Sequence, residues 1–166
     1  MPPEPWLRGE LDGIDPWLMP VAHAFVHAGE ELARAAGGLS VEQLWARPGG
    51  AASVAFHIRH TGGATDRLLS YARGEALSDA QQEAAAAEAQ DQARLEAAPL
   101  LSELAAALAS AAAQLRGTPR ALLLEPRGVG RAQLPSNVLG LLFHAAEHAS
   151  RHAGQAVTTA KILRGL

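Results

Sequence analysis

The sequence predicts an all-α protein, a four-helix bundle formed as a single domain over residues 1–166. Three observations carry that expectation. The chain has 166 residues, 48% hydrophobic and 19% charged, which is enough to bury roughly 70% of its unfolded surface in one core. Aromatic residues are only 4% and roughly a fifth of the chain is alanine, a composition that suits closely packed helices. A β-sandwich would draw instead on Val, Ile, Thr, Tyr and Phe. Finally, apolar residues recur at helical spacing in four long segments, with one long crossover between them.

The first helix is expected to be capped by Asp15 and entered through Pro16, with Pro20 still near its first turn. Leu18, Val21, Phe25, Leu32 and Ala36 supply its apolar face, and Gly37-Gly38 stops it. Ser40 with Gln43 three residues later resembles a capping box and predicts a short turn through Trp45. Arg47-Pro48-Gly49-Gly50 is a loop by composition. The second long helix starts near Ser53 and runs to Arg73, with Gly74 as its C-cap. Gly62-Gly63 inside it is either a kink or a close helix approach, at a cost of roughly 1 kcal/mol per glycine.

From Ser78 to Ala98 the chain is alanine, glutamate and glutamine, a weakly hydrophobic helix or a partly irregular crossover. The third long helix begins at Pro99 or Leu100, with Leu101, Leu104, Leu108 and Leu115 as its stripe. A loop rich in Pro, Gly and Arg, from Gly117 to Pro135, is longer than most connections. Ser136 then caps the last helix, whose apolar face is Val138, Leu141, Leu142, Ala145, Ala149, Ala156 and Ile162. No segment reads as a strand.

The chain has no cysteine, which removes disulfides, thiolate ligands and a cysteine nucleophile from its chemistry. A net charge of −3 gives no electrostatic footprint for nucleic acid. The N-terminus lacks the pattern of a signal peptide, and the charge-free apolar run Leu104–Leu115 is too short to span a bilayer. The expectation is a cytoplasmic protein without membrane or nucleic-acid partners.

The seven histidines are grouped. His23 and His27 lie four apart on the first helix, His57 and His60 three apart on the second, and His144, His148 and His152 step by four along the last. A lone histidine on an apolar face is ordinarily a satisfied core residue; local groups on three helices make that reading poor for the set. Side chains four apart have Cβ atoms ~5–6 Å apart, so two imidazoles can converge on one ion. His144 and His152 are separated by about 12 Å along the axis. One adjacent pair can therefore ligate, 144/148 or 148/152, and a further ligand must come from another helix. Three histidines with an open position make a catalytic rather than a closed structural arrangement.

Two familiar metal motifs fail. His144-Ala-Ala-Glu147-His148 matches the H-x-x-E-H pattern of inverted zinc proteases, but no acidic residue follows Glu147 to complete that site. Glu-x-x-His, the di-iron signature of ferritin-like bundles, is absent from the sequence.

Residues 148 to 155, His-Ala-Ser-Arg-His-Ala-Gly-Gln, resemble the H-x-x-x-H-x-G-Q signature of the DinB-like (DinB/YfiT) superfamily. The segment Ser53 to Arg67, with His60, is similar to that family's first-ligand region, and Leu44-Trp45-Ala46-Arg47-Pro48 to its approach. The resemblance runs from about Pro16 to Arg164. It implies a bundle of up-down-down-up topology with one divalent ion, nickel or zinc, held by His60, His148 and His152. His144, His27 and Gln155 are the candidates for lining the pocket or hydrogen-bonding behind the ligands. His57 is expected to pack or lie at the surface rather than ligate. Arg59, Arg67 and Arg151 are expected to be solvated or paired with Asp66 or Glu147.

The resemblance further implies a bacterial homodimer that transfers a low-molecular-weight thiol to a small electrophilic substrate. Two alternatives stand beside it: a metal-binding stress-response module without turnover, and a metal-dependent hydrolase. No carboxylate other than Glu147 is obviously placed as a base for the last.

Overall fold

The computed structural model describes residues 3–88 and 94–165 and is mostly helical. A single 3-10 turn at Pro5–Leu7 precedes α1, Met19–Ala36. The short α2, Val41–Trp45, follows, then α3, Val54–Arg73, α4, Asp79–Ala87, and α5, Ala97–Gly117. A two-stranded hairpin of β1, Pro126–Val129, and β2, Leu134–Asn137, leads directly into α6, Val138–Arg164.

Local chemistry sets most boundaries. Ser40 and Gln43 form the predicted reciprocal capping box of α2, and Ser78 with Gln81 forms another on α4. Each cap contributes about 1 kcal/mol. Ser53 caps α3 by accepting from the Phe56 N–H, and Gly74 ends that helix at a φ of 81°, a left-handed conformation that glycine adopts without a Cβ penalty.

Three boundaries and one whole element differ from expectation, the first being α5, which starts at Ala97 and not at Pro99 or Leu100. Asp15 does not cap α1: its carboxylate accepts from the Trp17 N–H at 2.9 Å and pairs with Arg120, while the helix starts at Met19 with Leu18 as N-cap. Pro16 thus opens a preceding turn, not the helix. Asn137, not Ser136, caps α6, accepting from the Gly140 N–H at 2.7 Å. The hairpin was not expected at all. Its strands carry Pro126 and Pro135 and show no two-residue alternation, yet they pair antiparallel with Arg127 opposite Ser136 and Val129 opposite Leu134. The carbonyls of Glu125 and Leu123 accept from the Val138 and Leu139 N–H groups, satisfying donors at the start of α6 that have no partner within the helix.

In the crossover, α4 ends at Ala87 and residues 94–96 are irregular; the stretch of the predicted helix at 89–93 lies outside the described residues. The face of α5 is also rotated from the predicted stripe. Leu100, Leu104, Ala111 and Leu115 are buried, while Leu101 and Leu108 are only partly covered. Ile162 of α6 is exposed. Taken whole, the 21 residues of α5 are long and apolar enough to cross a membrane by length and composition only, a test that the core helix of a soluble protein also passes.

α3 makes its broadest contact with α6; α1 with α6 and α3 with α5 come next, and α1 meets α5 less extensively. Alanine makes these approaches close. Ala145, Ala149, Ala153, Ala156 and Ala160 are all buried along α6. α3 runs unbroken through Gly62-Gly63, and α5 packs over Gly62 at ordinary contact distance, with a Cβ there lying 3.6 Å from Ala107 Cβ and 3.8 Å from the Cα of Leu104.

Candidate metal centre

His60 on α3 and His148 and His152 on α6 meet where these two helices pack. One ring nitrogen from each can be chosen so that all three lie within 4.8 Å of one another. The Nε2 atoms of His60 and His148 are 2.8 Å apart, and the His152 ring centroid lies 4.5 Å from each of the other two. All three residues are partly exposed. Spacing on α6 sets the local pair, and its close packing against α3 brings in the third.

Two of the remaining nitrogens are engaged. His60 Nδ1 lies 2.7 Å from a carboxylate oxygen of Glu88. His152 Nδ1 lies 2.9 Å from His57 Nδ1, so one of that pair donates and the other accepts. When His152 is the donor, its Nε2 keeps a lone pair. Phe56 stacks on His60 at 5.2 Å with an interplanar angle of 10°, fixing the ring plane.

Electrostatics favour neutral rings. Burial, followed by the neighbouring His60, pushes His57 down to about 4; burial and then His60, His148 and His57 push His152 to about 3. His148 is also lowered, first by burial and then by His60 and His144. For Glu88 burial acts upward, but hydrogen bonds from His60 and Arg67 outweigh it and the carboxyl sits below its ordinary value. Neutral imidazoles with free lone pairs are what a divalent ion requires. The donor set, three nitrogens with hydrogen-bonded rings behind two of them, fits such an ion.

The other predicted residues fall elsewhere. His144 is half exposed, with its Nδ1 3.6 Å from Glu147, and its ring stands 5.8 Å from His148 at the solvent edge of the cluster. Gln155 is exposed on α6. His27 packs on Trp6 and faces Glu31, lining a cavity of about 210 Å³ with Pro3, Arg8 and Glu30 instead of joining the cluster. His23 is buried and its Nε2 lies 2.9 Å from the Gly9 carbonyl. His57 packs as expected. Arg151 pairs with Glu147, and Arg59 lies 6.0 Å over the Trp45 ring. Arg67 pairs with Glu88 at 2.6 Å, not with Asp66.

Glu88 is the residue that sequence reasoning missed. It sits in the alanine, glutamate and glutamine crossover, where nothing distinguishes it from Glu83. The one local signal was on its partner: Gly62-Gly63 stands immediately beyond His60 and Thr61.

A family model described as the DinB superfamily matches residues 24–156. Among solved structures, a crystal structure titled as a conserved protein of locus from Enterococcus faecalis is similar, with a TM-score of 0.68 and 19% identity. The match covers 90% of this chain and 98% of that one. No curated protein matches the sequence.

Proposed function

Since the chain belongs to the DinB superfamily, we propose that it binds one divalent ion, nickel or zinc, through His60, His148 and His152. We read its four long helices as the up-down-down-up bundle of that superfamily. We further propose that it is a metalloenzyme transferring a low-molecular-weight thiol to a small electrophilic substrate, acting as a homodimer. The observation that supports the metal reading is the convergence of three ring nitrogens within 4.8 Å, with Glu88 and His57 hydrogen-bonded behind two of the rings.

A bound divalent ion would supply Lewis acidity, which makes a coordinated thiol or water a better nucleophile at neutral pH. The residues supply the rest. Phe56 holds the plane of His60, and His57 holds the orientation of His152. The absence of cysteine means that the reacting thiol arrives with a substrate. The partial exposure of the three histidines supports access for such a molecule.

Hydrolysis is less well supported. Glu147 is engaged by Arg151, and Glu88 by both His60 and Arg67, so both nearby carboxylates are committed before any water arrives. The test is metal analysis of the purified chain, followed by a thiol-transfer screen against His60→Ala. One ion per chain with transfer lost in the variant supports the reading; an ion without turnover on any thiol favours the binding module.

A further inference from the structure

α4 buries none of its own residues, yet Glu88 immediately after it is only 8% exposed. The reason lies on α3. At Gly63 a Cβ would stand 2.2 Å from Glu88 Oε1 and 2.9 Å from Arg67 Nη1. The carboxylate in this seat excludes a Cβ at 63, so Gly63 forms a notch in the helix surface one turn from His60, and a side chain there would push the ends of Glu88 and Arg67 aside. Within it Arg67 holds Glu88 with both terminal guanidinium nitrogens, Nη1 and Nη2, at 2.6 and 3.3 Å. Gln81 adds hydrogen bonds to Asp66 and Ser70 at 2.6 and 2.9 Å, so the crossover is fastened to α3 by polar groups.

We propose that Glu88, seated in the Gly63 notch, is a positioning residue acting through His60, and that it couples metal binding to docking of α4. This rests on the metal reading above. A carboxylate ion-paired to arginine has no hydrogen to give, so His60 Nδ1 must be the donor in the 2.7 Å contact. That fixes the tautomer and leaves the Nε2 lone pair directed at His148. Carboxylates placed behind metal-binding histidines in this way typically contribute about 10–100-fold in affinity. By reciprocity, an ion that fixes His60 also favours the docked crossover.

The experiment titrates Co²⁺ into the full-length chain, reading visible absorption for affinity and geometry, with amide hydrogen exchange over residues 79–87. Wild type should bind and gain protection in α4. Glu88→Gln should bind about 10–100-fold more weakly with shifted bands and no metal-dependent protection. Gly63→Ala should behave alike although Glu88 is intact; alanine favours the helix, so weak folding would not explain the loss. Wild-type affinity and bands in both variants would overturn the coupling alone. No Co²⁺ uptake by the wild type would overturn the metal reading with it.

Discussion

The seam between α3 and α6 and the seam between α1 and α5 each join two long helices, yet they are filled differently. The first holds the imidazoles of His57, His60, His148 and His152, each with a ring nitrogen engaged by a neighbour. The second carries a half-open groove of about 310 Å³ lined mostly by apolar groups such as Phe25, Leu101, Leu104, Leu108 and Leu115. Paired polar groups specify one arrangement, because a broken pair leaves a buried donor or acceptor unsatisfied. Small apolar groups tolerate slack, because a void there forfeits only dispersion contacts. Chemistry therefore concentrates at the tight, polar seam and spare volume at the loose one.

The sharpest way to break this contrast is to remove a polar member of the first seam. His148→Ala or His152→Ala should reduce metal content from about one ion per chain to none, measured by elemental analysis after dialysis. Full occupancy in either variant would remove the proposed ligand set. Next in size is Leu104→Ala. Leu104 is 3% exposed and borders both the α1–α5 groove and a second one, of about 290 Å³, beside Glu88. Its truncation should cost about 2–5 kcal/mol in denaturant unfolding; a loss well under that range would show that the loose seam collapses to compensate.

The polar seam also predicts a pH signature. His57 and His152 have folded values lowered to about 4 and about 3, below an unfolded value of about 6.5. The unfolded chain therefore binds more protons between those limits. The stability of metal-free protein should be complete above pH of about 6.5 and fall as pH drops toward about 4 and below. Thermal unfolding across that range checks the sign, and a flat profile would contradict the buried neutral rings. The smallest effect belongs to the loose seam. At Gly29 a Cβ would meet only the Cδ1 end of Leu108, at 2.9 Å, and Leu108 borders the groove. Gly29→Ala should stabilise α1 by up to about 1 kcal/mol, raising Tm, whereas the same change at Gly63 should disturb the site.

Legibility in the sequence followed the range of the physics. α3 was predicted almost to the residue because Ser53 and Gly74 act on their own neighbours. The α6 histidines declared themselves through a four-residue step, and the DinB resemblance selected 148/152 where spacing left two pairs open. Glu88 was invisible because its meaning depends on a notch 25 residues earlier, and an alanine-rich crossover carries no period that singles out one glutamate. The hairpin was hidden by its prolines. Its place in the fold comes from contacts outside its own segment, Arg127 donating to the Ala72 carbonyl at 2.9 Å and the first N–H groups of α6.

The sequence distances within the cluster have a kinetic consequence. His60 meets Glu88 across 28 residues, His148 across 88, and His57 meets His152 across 95. A partial chain lacking α6 cannot present the three-nitrogen set, while α6 alone offers a two-histidine chelate. On the proposed ligand set, ion capture would begin on α6, the last helix to be synthesised, and be completed only as α6 docks on α3, so that docking is the step an ion would lock.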